Sequence, residues 1–256
     1  MRIVRRRLPA IQTRLDVRAD ASSAADPTPR LATPGLLYGV RGSAPTYAAE
    51  LALRYKRLPY KRADLLAGRH AKTLRRKGFA GITVPALWLD DERLQTNRAI
   101  ARGLERLLPK PALFPADPIA RAAVEGAERL GDEQLQPATR RILIRAMARD
   151  PGSVRAHPEI GRITLPRNRL LRALLARYAF RYYGITAEVV REDLASLPGM
   201  LDAIDAYIDA GVLNGPDLNA ADFQIAPLVA VLLGIDDVAT DLAGRPAAAL
   251  VARALQ

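Results

Sequence analysis

The sequence predicts an α/β domain followed by an all-helical domain. Three observations carry this. Between residues 36 and 108, short apolar runs alternate with helical periodicity in the order β-α-β-α-β-β-α. Residues 109–118 hold Pro109, Pro111, Pro115 and Pro118 and interrupt both patterns. From 119 to 256 every periodic segment has helical spacing, with no further strand signal. A leader at 1–35 precedes all of this and shows no sustained apolar face.

The elements follow in order. Leu36-Leu37-Tyr38-Gly39-Val40 reads as a strand, and Arg41-Gly42-Ser43-Ala44-Pro45 as a turn rich in helix breakers. Thr46 to Lys56 reads as a helix, with Tyr47, Leu51 and Tyr55 four apart on one side. Pro59 ends it, and Tyr60 to Leu65 is a second strand. A short, very basic helix or turn follows at 69–77. Pro85 to Leu89 and Arg93-Leu94 form a hairpin around the acidic turn Asp90-Asp91-Glu92. Pro85 belongs at a strand start or edge because it cannot donate to a sheet ladder. Thr96 to Leu108 is a helix with Ile100, Leu104, Leu107 and Leu108 on one face. Beyond the Pro-rich linker, helices are expected at 119–135, 139–149, 168–183, within 187–211 (198–210), at 219–233 and at 245–255. The segment 219–233 is nearly all apolar and therefore belongs at the centre of a bundle.

The chain has 256 residues and a hydrophobic fraction of 49%, enough for a sizeable core. It has no Cys, which excludes disulfides, Cys-based metal sites and a cysteine nucleophile and fits a cytoplasmic protein. Its two His are isolated, so no metal site is expected. No run of about 18 apolar residues suggests a membrane span. The net charge of +12 is unevenly placed, with net +9 in residues 54–77 and again in 140–181. Such stretches attract anionic ligands or are simply solvated faces. Nucleic-acid binding is not expected, since no aromatic-rich RNA-binding motif accompanies the charge. The leader carries Arg5-Arg6-Arg7 but lacks the apolar core of a secretory signal, and its three Asp argue against a transit peptide. It reads as a disordered basic extension or as the product of an upstream start codon.

Three groups of residues resemble one family. The first is Leu37-Tyr38-Gly39, Ser43-Ala44-Pro45-Thr46, Leu51-Ala52-Leu53 and Leu58-Pro59-Tyr60. The second is Thr83-Val84-Pro85-Ala86-Leu87 with Arg98-Ala99-Ile100, and the third is Asn219-Ala220-Ala221-Asp222-Phe223. Together they resemble the glutathione transferase superfamily. The resemblance implies a thioredoxin-like glutathione-binding domain at 36–108 and an all-helical domain at 119–256. Ser43 matches the position of the catalytic Ser in serine-type members, and Thr46 falls where some members carry a second Cys or Ser. Pro85 matches a cis-Pro that presents the backbone of Val84 to the cysteinyl part of glutathione. Thr96 and Asn97 stand where the family grips the γ-glutamyl end, usually with Glu or Gln followed by Ser or Thr, and Gln95 lies one residue earlier. The resemblance also implies a homodimer.

The chemistry behind Ser43 is simple. A free thiol titrates near pH ~8.5, and lowering that by two units takes about 2.7 kcal/mol of preferential thiolate stabilisation. A hydroxyl donor at a helix N-terminus favours the anion. Ser43 equally suits a plain N-cap, and Tyr38 and Tyr47 are alternative hydroxyl donors. His70, Lys72 and Arg75 are candidates for the glycyl carboxylate. In the third group, Asn219 can accept from the Asp222 N–H while the Asp222 carboxylate reaches back to the Asn219 N–H, a structural capping box.

Two functions compete. One is an enzyme that transfers a thiol, glutathione or another small one, to a hydrophobic electrophile, with the 169–183 helix lining the acceptor pocket. The other is a non-catalytic thiol- or protein-binding module on the same fold, which the altered Thr96-Asn97 pair favours.

Overall fold

The structure, a computed structural model, describes residues 33–66, 70–161, 163 and 165–255. Most of the 1–35 leader lies outside the described residues. Its last residue, Gly35, opens the first strand.

Four strands form one mixed sheet: β1 (Gly35–Gly39), β2 (Tyr60–Asp64), β3 (Ala86–Leu89) and β4 (Glu92–Gln95), in the order β2-β1-β3-β4. β1 and β2 run parallel and are joined by the crossover helix α1 (Ala44–Tyr55). β3 lies antiparallel to β1, with Leu37 opposite Leu87, and a tight turn returns it to β4. Strand alternation sends neighbouring side chains to opposite faces. Leu37 packs under α1 and α3 (Asn97–Leu107), whereas Tyr38 joins Leu74, Phe79 and Ala86 beneath α2 (His70–Arg76) on the far side.

The rest of the described chain is helical. α4 (Pro118–Arg129) runs through a π-helical turn at Leu130–Leu135 straight into α5 (Gln136–Arg149). The two helices expected at 119–135 and 139–149 are thus one rod with a register shift. After a loop come α6 (Arg169–Tyr183) and α7 (Ala187–Asp209), the latter continuous through Pro198 rather than starting there. α8 (Ala220–Leu233) follows, then α9 (Asp236–Leu242), which the sequence pattern did not signal, and α10 (Pro246–Ala254).

α8 is the central post: all its residues except Val231 and Leu233 are buried, and it packs against α1, α4 and α10. Its start is fixed by the capping box. Asn219 Oδ1 accepts from the backbone N–H groups of Ala221 (2.9 Å) and Asp222 (3.4 Å), and Asp222 Oδ2 accepts from the Asn219 N–H at 2.8 Å. Asp222 Oδ1 also takes the Asn214 N–H at 2.7 Å, tying the preceding loop to the helix. Burial raises the Asp222 pKa, while those backbone donors pull it down.

Lys56, at the C-cap of α1, is fully buried and joins sheet, helix and linker. Its ammonium donates to Glu105 Oε2 (2.5 Å) and to the carbonyls of Leu108 and Pro111 (2.6 Å each). All three of its donors are therefore satisfied.

Candidate functional site

The loop between β1 and α1 is built around close approach. Gly39 faces Thr46 so tightly that a Cβ there would lie 2.2 Å from Thr46 Cγ2. Thr46 is fully buried, and its Oγ1 accepts from the Val40 N–H at 3.4 Å, closing the loop. Ser43 follows as the N-cap of α1. Its Oγ accepts from the Thr46 N–H at 3.3 Å, and its backbone N–H donates to Val40 O at 3.1 Å. Capping uses the oxygen as acceptor and leaves the hydroxyl proton free to donate. The two roles expected for Ser43 are therefore compatible.

Ser43 itself lines neither of the two clefts beside it in the chain, but its close neighbours do. Pro45, two residues on, lines a polar cleft of about 150 Å³. Gly42, one residue before, lines a more apolar cleft of about 330 Å³.

The polar cleft brings Val84, Pro85, Thr96 and Asn97 together, with Thr83 beside them. The Val84–Pro85 peptide is cis, and Pro85 O accepts from the Thr96 N–H at 3.2 Å. Thr96 caps α3 by accepting the Ala99 N–H at 3.3 Å, yet its backbone sits at φ 78°, ψ 152°. That region suits glycine and strains a β-branched residue. Gln95 is not in the cleft wall. Its amide bridges the Gly81 N–H (2.8 Å) and the Thr83 carbonyl (2.6 Å), bracing the loop that leads to Pro85.

The opposite wall comes from the helical part: Asp132 and Gln136 at the π-helical turn, Arg140 one turn further along α5, and Gln224 and Leu228 on α8. The sequence reading missed all of these. Their spacing of four (132, 136, 140) was visible, but the facing residues lie far away in the chain. Burial pushes the Asp132 carboxyl up from its ordinary range and the Arg140 pKa down.

The apolar cleft is walled by Leu143 and Met147 of α5, Val231 of α8, and the α5–α6 loop through Val154 and Ile160. Arg155, Arg167 and Arg172 stand around it. The loop is pinned to α8: Val154 bridges Ile235, and the Arg155 N–H donates to Gly234 O at 2.7 Å. Tyr47 adds a second pin by donating its hydroxyl to Glu159 Oε2 at 3.1 Å.

Several sequence-level candidates lie elsewhere. Tyr38 is buried beneath α2, edge-on to Phe79. Tyr47 has its hydroxyl committed to Glu159, and burial raises its pKa to about 12 although Arg54 opposes this. Neither tyrosine lines either cleft. His70, Lys72 and Arg75 line neither cleft. Of α6, Arg172 alone reaches the apolar cleft, while Leu170, Leu174 and Tyr178 are exposed.

Residues 37–112 match the family model described as glutathione S-transferase, N-terminal domain. No curated protein matches the chain. Solved structures do. The chain is similar to a glutathione transferase from Phanerochaete chrysosporium at 17% identity, covering 87% of this chain and 97% of that one with a TM-score of 0.65. It is similar to a glutathione S-transferase of Ceriporiopsis subvermispora in complex with glutathione at 16% identity, covering 87% and 95% with a TM-score of 0.61. It is also similar to a maleylacetoacetate isomerase from Anaeromyxobacter dehalogenans, with bound dicarboxyethyl glutathione and citrate, at 20% identity, covering 85% and 84% with a TM-score of 0.52. At such identities the structures speak for the fold, and the sequence match speaks for the sheet-bearing part. The chain therefore has the fold of glutathione S-transferases, and its residues 37–112 match the N-terminal domain of that family.

Proposed function

We propose that the protein is a glutathione transferase that joins a small thiol, glutathione first among them, to a hydrophobic electrophile. The observation that carries this is Ser43 at the N-cap of α1, in a turn whose Pro45 lines a polar cleft and whose Gly42 lines an apolar one. The polar cleft suits the peptide part of the thiol, and the apolar cleft suits the acceptor.

In this reading Ser43 donates its free hydroxyl proton to the thiolate sulfur, and the positive end of α1 favours the same charge. The thiol proton passes to water. The sulfur lone pair then forms the carbon–sulfur bond, while the displaced bonding pair leaves with the leaving group or moves onto the electrophile. Val84 offers its backbone to the cysteinyl unit, and Thr96 and Asn97 offer hydroxyl and amide groups to the γ-glutamyl end. No metal is needed for this chemistry. The proposal includes a cytoplasmic homodimer, which light scattering on the purified protein tests. No helix among the described residues is long and apolar enough to cross a membrane.

The enzymatic test is glutathione conjugation to a panel of aromatic and α,β-unsaturated electrophiles, with Ser43→Ala alongside. Activity that falls by about tenfold or more in the variant supports the reading. Conjugation no faster than the uncatalysed reaction for every electrophile overturns it. The second reading, a non-catalytic binding module, is favoured by the absence of a carboxylate at Thr96 and Asn97. It predicts glutathione or protein binding that Ser43→Ala leaves unchanged.

A further inference from the structure

The polar cleft holds more unpaired polarity than a structural crevice needs. Asp132 and Arg140 both line it, and neither forms an ion pair among the described residues. Nearby charges behave differently: Glu133 pairs with Arg98, and Arg141 holds Asp193 through two bonds of 2.6 Å and 2.5 Å. Arg140 lies over the Tyr183 ring at 4.8 Å and donates to Gln136 Oε1, which leaves most of its five N–H donors unused. Two buried carbonyl oxygens of the same cleft, Asn97 Oδ1 and Gln224 Oε1, accept no hydrogen bond. Gln224 spends its amide nitrogen on the Glu128 carbonyl at 3.3 Å, so only its oxygen remains on offer. Leaving such buried acceptors unpaired is unfavourable, and a ligand donor would relieve it.

These groups have a definite chemical complement. One carboxylate and two carbonyls call for a donor with several N–H bonds and a positive charge, which is a primary ammonium. One guanidinium calls for a carboxylate, which it can hold through two parallel bonds. A ligand carrying both groups within the span of this small cleft is an α-amino-acid head group. The placement is built in. The π-helical turn at Leu130–Leu135 shifts the register between α4 and α5, and Asp132, Gln136 and Arg140 then follow at intervals of four on one side.

We propose that Asp132 and Arg140, from the helical part of the same chain, bind the ammonium and the carboxylate of an α-amino-acid head group, with Asn97 and Gln224 completing the ammonium site. The pair supplies the charge that Thr96 and Asn97 lack. This deepens the transferase reading and rests on it in one respect, that the head group is the γ-glutamyl end of the thiol. A free α-amino acid carries the same chemistry, so the test separates the two sources.

The test is calorimetric titration of the full chain with S-methylglutathione, with its analogue lacking the α-ammonium (S-methyl glutaryl-cysteinyl-glycine), and with free L-glutamate. Wild type, Asp132→Asn and Arg140→Met are compared after their thermal unfolding shows that they fold. The inference expects S-methylglutathione to bind wild type about tenfold or more tightly than the ammonium-free analogue. Asp132→Asn should weaken S-methylglutathione by a similar factor and leave the analogue unchanged. Arg140→Met should weaken both ligands. The analogue comparison in wild type needs no variant, so misfolding cannot shield the idea. Equal binding of the two ligands to wild type overturns the inference, as does an Asp132→Asn effect of the same size on both. If S-methylglutathione binds but ignores both substitutions, the inference fails and the transferase reading stands. If L-glutamate alone binds, with the same dependence on Asp132 and Arg140, the head-group site stands and the transferase reading fails. If none of the three ligands binds folded wild type, both fail.

Discussion

Thr96 offers the sharpest test of how the polar cleft is built. Its backbone conformation, φ 78° and ψ 152°, is open to glycine and unfavourable for a branched side chain. Holding it there costs on the order of 1–3 kcal/mol. Two opposing terms are visible. Thr96 Oγ1 caps α3 through the Ala99 N–H, and losing that bond costs about 0.5–2 kcal/mol with Ala in its place but only a few tenths with Gly. A glycine also frees the unfolded chain, at about 0.5–1 kcal/mol. Thr96→Ala keeps the strain and loses the cap, so it should destabilise the fold by about 1 kcal/mol. Thr96→Gly releases the strain and should come out roughly 1 kcal/mol more stable than wild type. The difference of about 2 kcal/mol corresponds to about 4–8 °C in Tm for a chain of this size. Thermal unfolding of the three proteins in one buffer, followed by circular dichroism, reads it. A glycine variant no more stable than the alanine variant would refute the assignment of strain to Thr96.

Three further outcomes follow from the geometry. Lys56→Met strips three hydrogen bonds from a fully buried position and leaves Glu105 without its cation, so urea denaturation should show a loss of about 3 kcal/mol or more; a loss under about 1 kcal/mol would contradict that role. Gly39→Ala drives a methyl into Thr46 Cγ2 and should cost about 1–3 kcal/mol, while thiolate stabilisation falls with it because Thr46 holds the Ser43 turn; unaltered stability and activity would show that the loop does not need the close approach. Burial raises the Asp132 carboxyl above its unfolded pKa, so its contribution to stability is full below about pH 4 and is lost as pH rises through the folded value. Asp132→Asn should therefore gain in Tm over wild type at pH 7.5 relative to pH 4, measured in the absence of ligand, and a gap that narrows with rising pH would reverse the sign of the argument.

The fold was legible because it rests on local signals. The β-α-β-α-β-β-α order, the Ser43 and Asn219 caps and the apolar α8 all announce themselves within a dozen residues. Where local rules compete with tertiary packing, the sequence misled. Pro198 should end a helix, yet α7 runs through it, with Leu197 and Leu201 buried on either side. α9, a seven-residue helix opened by Asp236-Asp237, is too short to show periodicity. The π-helical turn at Leu130–Leu135 has no sequence signature at all. The site divides in the same way. Val84, Pro85, Thr96 and Asn97, which line the polar cleft, could be put forward from the sequence because they sit at element boundaries. Asp132, Arg140 and Gln224 meet them only through packing of distant helices, and a lone Asp or Arg on a charged helix looks like solvated surface. Tyr38 could have been set aside from strand alternation alone, since its neighbour Leu37 already faces the core.

The central claim is that the Ser43 hydroxyl stabilises a thiolate held beside it. The direct measurement is the ultraviolet titration of the thiol of bound glutathione, in wild type and in Ser43→Ala, at saturating protein. The account predicts a thiol pKa depressed by roughly two units in wild type, and one that returns most of the way to about 8.5 in the variant with affinity little changed. A pKa equally depressed in both proteins, or no binding of reduced glutathione by the folded protein up to concentrations on the order of 10 mM, would contradict it.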